Sequence, residues 1–189
     1  MQKIILSIVI VVLIIFAFRK EKTETVTITK VNSFEECALA GFPIQESYPR
    51  RCASSDGKVF SEYIGNRIEK QDLIVVDSPL PNQTINNAFQ ISGKARGFWF
   101  FEGEISGRIL DQSKKTISNF SIMTQEEWMT EEFVGFNKII DLGTTTLPQK
   151  GFIEIIKNNP SDMREKDDSL IIPISFSSST IEIPQVIAR

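Results

Sequence analysis

From Leu73 to Phe176 apolar residues recur at every second position, in short runs separated by turn residues. No stretch of that region repeats with the 3.6-residue period of a helix, so the chain there can only pack as half-buried strands. Phe89, Ile91, Gly93 and Ala95 alternate with Gln90, Ser92, Lys94 and Arg96. Trp99, Phe101, Gly103, Ile105, Gly107 and Ile109 alternate with Phe100, Glu102, Glu104, Ser106 and Arg108. Leu73 to Val76, Thr116 to Met123, Trp128 to Asp141, Phe152 to Lys157 and Leu170 to Phe176 complete the set, the last placing Leu170, Ile172, Ile174 and Phe176 on one face. About seven strands over roughly 105 residues predict an all-β fold, an immunoglobulin-like antiparallel β-sandwich over residues 72–176. Gly103 and Gly107 fall on the inward face of their run, which marks a bulge or a close approach of backbone.

Chemistry is narrowed by a single absence: the 189 residues contain no histidine. That removes Ser-His-Asp and Cys-His catalysis and imidazole metal sites. Two cysteines cannot build a four-thiolate zinc site, so no metal, cofactor or catalytic residue is expected and the chain reads as a non-enzyme. With 21 basic against 24 acidic residues the net charge is −3, which argues against a nucleic-acid partner, because phosphate binding needs a concentrated positive face. Two carboxylate groupings have a functional and an ordinary reading. Glu102 and Glu104, ~7 Å apart on one strand face, have the spacing of a hydrolytic carboxylate pair, or are a solvated face beside Arg108. Asp162, Glu165, Asp167 and Asp168 have the ligand type for Ca²⁺, or form a solvated hairpin whose charge Arg164 and Lys166 dilute.

The amino terminus differs from the rest. Ile4 to Phe18 is apolar except for Ser7 and ends at Arg19, Lys20, Glu21 and Lys22. Fifteen helical residues rise roughly 22 Å, short of the ~30 Å hydrocarbon core. Phe16-Ala17-Phe18-Arg19 is not a small-x-small cleavage site, so residues 1–22 read as an uncleaved signal anchor or transmembrane helix, with a cleaved signal and secretion as the alternative. The flanking charges alone favour a cytoplasmic body, whereas the cysteines described next favour the outside. Residues 23–30 read as a tether and 177–189 as a flexible tail.

Between them lies a cysteine-bearing segment, residues 31–64. Ser33 followed by Glu36 is a capping-box pattern that starts a short helix at Phe34, ended near Ala40 by Gly41. Pro43 and Pro49 extend the chain, and Asp56-Gly57 turns it into a strand from Lys58 to Tyr63. So few residues cannot bury enough surface to fold firmly. A Cys37–Cys52 bridge closing a loop of about 15 residues contributes roughly 3 kcal/mol. The pair is best explained as a disulfide in an oxidising compartment, the alternative being two unrelated thiols. Residues 65–71 read as a linker.

The aromatic run is the remaining candidate site. Alternation places Trp99 and Phe101 inside and leaves Phe100 outside among polar neighbours. With Trp128 nearby, Trp99, Phe100 and Trp128 form a candidate ligand face able to stack on a sugar ring or anchor a protein, or else core packing.

Two resemblances attach to these residues. Phe34-Glu-Glu-Cys37, Ala40-Gly41, Glu46-Ser-Tyr-Pro-Arg50 and Cys52 with Asp56-Gly57 resemble a one-disulfide module of secreted and anchored bacterial proteins. It is also similar to a Kazal-type inhibitor, though with one disulfide in place of three. Ile91-Ser-Gly-Lys-Ala-Arg-Gly97-Phe-Trp-Phe-Phe-Glu102, Glu127-Trp-Met-Thr-Glu-Glu-Phe133-Val-Gly-Phe136, Lys157-Asn-Asn-Pro-Ser161 and Ile172-Pro-Ile-Ser-Phe176 resemble, in order, the Gmad2 family. This family comprises immunoglobulin-like domains of bacterial surface and spore-germination-associated proteins. That resemblance implies the sandwich and brings no catalytic residues. The expectation is a membrane-anchored envelope protein presenting a binding or structural domain outside the cytoplasm. Cell-wall or glycan binding and an inhibitor-like role of the disulfide module are its alternatives.

Overall fold

The computed structural model describes residues 30–161 and 163–177. The apolar stretch 1–22, the tether up to residue 29, Asp162 and the tail after Ser177 lie outside the described residues, so the anchor reading is not addressed by them. No helix among the described residues is long and apolar enough to cross a membrane. The chain divides after Ser61 into two units.

The smaller unit begins with helix α1 (Phe34–Leu39). The capping signal works as its residue types require: Ser33 Oγ accepts from the Glu36 amide at 3.1 Å, and the Glu36 carboxylate accepts from the Asn32 amide at 2.7 Å. The first bond occupies a helix-end donor that α1 cannot satisfy itself, and the second ties the residue before the cap to the first turn. Three short strands follow, β1 (Ile44–Gln45), β2 (Arg51–Ala53) and β3 (Val59–Ser61), in an antiparallel sheet of that order. The sequence pattern anticipates only the third, since two- and three-residue strands are too short to show a period. Cys37 and Cys52 are joined, with their Cα atoms 6.1 Å apart. With Val31 and Phe34 they form the buried apolar cluster of this unit among the described residues. Such a core is too small to hold 30 residues without the crosslink. The β2–β3 turn carries its own lock: Asp56 accepts from the Ser54 hydroxyl and pairs with Lys58. These two partners hold its carboxyl at about 2.

The larger unit opens with a one-turn helix, α2 (Arg67–Lys70), inside the segment read as a linker. Eight strands follow: β4 (Ile74–Ser78), β5 (Thr84–Ile85), β6 (Ala88–Arg96), β7 (Glu104–Asp111), β8 (Thr116–Met123), β9 (Phe133–Asp141), β10 (Lys150–Ile156) and β11 (Ser169–Phe176). They form a three-stranded sheet, β4-β6-β9, and a five-stranded sheet, β5-β11-β10-β7-β8. Every pairing is antiparallel except the short β5–β11 contact, which is parallel. The alternating residues of both sheets close on one core: Phe89, Ile91 and Ala95 from β6 meet Ile105 and Ile109 from β7, Ile153 and Ile155 from β10, and Leu170, Ile172 and Ile174 from β11. Seven of these strands are those the alternation predicts. β5 is the addition, too short to announce itself.

The outer edge of β11 is covered by side chains where β5 does not reach. Asn66 donates from Nδ2 to the Ser169 carbonyl (2.9 Å) and accepts at Oδ1 from the Ile171 amide (2.8 Å), as a neighbouring strand would. Lys70 pairs with Asp168, and Arg67 donates to the Val76 carbonyl at 2.7 Å. Residues 65–71 are thus bonded to the sandwich.

Two outcomes follow for the smaller unit. Reduction of Cys37–Cys52 in the full chain removes about 3 kcal/mol from it, so hydrogen exchange rises across 31–61 while β7 and β10 amides stay protected; uniform protection after reduction contradicts this. Because the Asp56 pKa lies below its ordinary 3.8, its contribution is full above that value and is lost as pH falls through about 2. An NMR titration should therefore find the Asp56 carboxylate still charged at about pH 3. An ordinary midpoint contradicts the Ser54–Lys58 lock.

Candidate functional site

Three connections meet at one end of the sandwich: β6–β7 (residues 97–103), β8–β9 (124–132) and β10–β11 (157–168). They are bonded to one another. The Gly97 amide donates to the Glu132 carbonyl (3.0 Å), the Thr124 amide to Gly103 (2.9 Å) and the Asn158 amide to Trp99 (3.0 Å), while Asn158 Nδ2 donates to the Glu104 carbonyl at 2.8 Å. Gly97 permits the crossing: a Cβ there would lie 2.1 Å from the Thr130 carbonyl oxygen and 2.3 Å from that of Trp128. Side chains on these loops therefore stand on a braced surface.

The aromatic run is arranged differently from the alternation. Gly97–Trp99 is a 3-10 turn closed by the Phe100 amide on the Gly97 carbonyl at 3.0 Å. The strand period lapses there, and two adjacent aromatics enter the core together. Trp99 is fully buried and Phe100 is 3% exposed. The expected outward placement of Phe100 is therefore corrected, and so is the inward placement of Phe101, which is 43% exposed. Trp128 is partly buried and packs against the core. Trp99 and Phe100 thus offer no ligand face on the sheet; within this run the exposed aromatics are Phe98, at 47%, and Phe101.

Next, Phe101 and Glu104 bond each other's backbone around Glu102 (φ 52°) and Gly103 (φ 75°). Two positive φ values in a two-residue loop are the tight hairpin geometry that Gly serves without strain. Gly103 is therefore a turn residue and not a strand residue. Glu102 stands at the turn's corner while Glu104 begins β7, so the two carboxylates do not share a strand face. Arg108, expected beside them, pairs instead with Glu154 of β10. Gly107 does lie inward, and its missing side chain is replaced by the Phe120 ring from β8.

A groove of about 430 Å³ opens between the first two loops, lined by Gly97, Phe98, Trp128, Met129, Thr130 and Glu131. Met129 is 75% exposed, and the Lys157 ammonium stands 5.5 Å from the Phe98 ring centre. A second hollow, of about 380 Å³, lies over β6 and β9 near Gly93 and Gly135, where Glu126 accepts from the Gly135 amide at 2.9 Å. In the third loop Asp167 accepts from Asn159 (2.9 Å) and faces Arg164, and Asp168 is held by Lys70. Asp162 lies outside the described residues. Among the described residues no three His, Cys, Asp or Glu side chains are grouped to hold a metal. Phe98 falls between two predicted strands and Phe101 and Met129 inside predicted ones, so the alternation marks none of them as a surface residue; the Glu102-Gly103 pair is the turn signal that separates Phe101 from β7.

Two facing sheets with loops gathered at one end define an immunoglobulin-like sandwich carrying a loop-built surface. Residues 73–164 match the family model of Gmad2, the immunoglobulin-like domain of bacterial spore germination, and this part of the chain is a Gmad2 domain preceded by the Cys37–Cys52 disulfide. No curated protein and no solved structure matches the chain.

The burial difference has a measurable consequence. Phe100→Ala costs about 3–5 kcal/mol in urea unfolding of the full chain, whereas Phe98→Ala changes stability by no more than about 1 kcal/mol. Equal losses would contradict the assignment of one ring to the core and the other to the surface.

Proposed function

We propose that the protein is a non-enzymatic binding protein of the bacterial envelope. In this reading residues 1–22 anchor the chain in the membrane, the body stands outside the cytoplasm, and the loop end of the Gmad2 domain makes the contact. The carrying observation is the groove at Phe98, Trp128 and Met129, held open by loops that are hydrogen-bonded to one another. Exposed aromatic and thioether side chains on a braced surface are what recognition requires, and they remain solvated at a cost that a structural spacer has no reason to bear.

Placement outside the cytoplasm is supported by the disulfide, which persists where thiols oxidise. It also agrees with the apolar leader and with a family described from bacterial spore germination, a process of the cell envelope. A partner in the envelope, protein or glycan, follows from that placement.

Protease added to intact cells should digest the Gmad2 domain, and Cys37 and Cys52 should resist maleimide until a reductant is added. Full protection of the domain with both thiols labelled at once would reject the placement.

A further inference from the structure

We infer that the loop end docks a cationic, amphipathic polypeptide segment of a partner protein. The inference rests on the loop-end reading above and adds the chemistry of the partner. Residues 97–103 and 124–132 carry Glu102, Glu126, Glu127, Glu131 and Glu132 and not one Lys or Arg. All five glutamates are exposed. Glu126 and Glu127 accept backbone amides, from Gly135 and Met129, and Glu132 faces Arg96 at 3.9 Å. Arg96 is otherwise engaged, donating to the Asp72 and Glu131 carbonyls and stacking on Phe133 at 4.2 Å. The Glu102 and Glu131 carboxylates have no partner among the described residues.

Of the five glutamates, Glu131 lines the groove itself, and the others stand on the same two loops. Phe98, Trp128 and Met129 line the groove, with Phe101 and Met123 exposed on the adjoining turn and strand end. Unbranched, polarizable methionines adapt to varied apolar shapes. A floor of Met and aromatic side chains on loops that carry only acidic charge complements a segment that alternates Lys or Arg with Leu or Phe. Phosphate-bearing polymers and anionic lipid meet repulsion from the same carboxylates. A neutral glycan makes no use of the charges, and the groove offers it few neutral hydrogen-bonding side chains. Lys157 lies over Phe98 on the side of the third loop, which leaves the glutamate side of the groove as the cation-facing one.

The test uses the full chain in phosphatidylcholine nanodiscs, with empty discs as the blank. The probes are peptides of about 18 residues built from Lys and Leu, or from Glu and Leu, at helical amphipathic spacing, and a neutral N-acetylglucosamine oligomer. The Lys/Leu peptide should bind, and the Glu/Leu peptide should not. Raising salt from roughly 0.05 to 0.5 M should weaken binding about tenfold. Glu102→Lys with Glu131→Lys should weaken it about tenfold or more, and Phe98→Ser with Met129→Ser should abolish it, all with unchanged unfolding midpoints. No binding of the Lys/Leu peptide, equal binding of the Glu/Leu peptide, or unaltered affinity in either double variant overturns the inference. Binding of the sugar oligomer alone, lost in Phe98→Ser with Met129→Ser, also overturns it while leaving the loop end as the contact surface.

Discussion

Everything at the loop end depends on how tightly the aliphatic faces of two sheets close on each other. Ile105, Ile109, Ile153, Ile155, Leu170 and Ile172 are fully buried, and Ile91 and Val76 meet them from the opposite sheet. Burying each such side chain contributes roughly 1.5–3 kcal/mol, with no crosslink between the sheets to share the work. Trp99 and Phe100 extend that core to the very end of the sandwich, beneath the loops. They convert what would be three independent connections into a surface with a fixed floor. A groove made of loop residues needs such a floor to keep a shape that a partner can recognise.

The smaller unit solves the same problem by other means. Among its described residues the buried apolar cluster has four members, and two of them are the bridged cysteines. Where the larger unit spends its alternating strands on apolar area, the smaller one relies on restricting its unfolded state and on local locks such as Ser33 with Glu36 and Ser54 with Asp56. One chain therefore carries two regimes of stability, one set by hydrophobic burial and insensitive to thiol chemistry, the other tied to the redox state of its surroundings. That dependence is the physical reason the disulfide bears on where the protein resides.

The fold was legible because strand period is a property of the backbone. Within β6 and β11 every second side chain must face one way, and the predicted inward residues Phe89, Ile91, Ala95, Leu170, Ile172, Ile174 and Phe176 are all buried. The helix at Phe34 and the turn at Gly57 were legible for a similar reason, since capping and positive φ select residue types. Legibility failed where the period was interrupted without a visible break. The apolar-polar count runs unbroken from Trp99 to Ile109, yet a 3-10 turn and a two-residue hairpin occupy its first half. Parity is meaningful only inside one strand, so Phe100 and Phe101 exchanged places while Ile105 and Ile109, beyond the turn, kept theirs. The start of β9 was misplaced likewise: Trp128 and Met129 belong to the loop, and the groove they line could not be seen from a pattern that assigned them to a strand.

The central claim is that the three connections form one braced surface continuous with the core. Native-state hydrogen exchange on the amides of Gly97, Thr124 and Asn158, each of which donates from one connection to a neighbouring one, tests it most directly. The account predicts protection at these three positions close to that of β7 and β10 amides. Exchange as fast as that of the exposed Glu131 amide would mean that the loops move independently, and the surface described here would not exist as a unit.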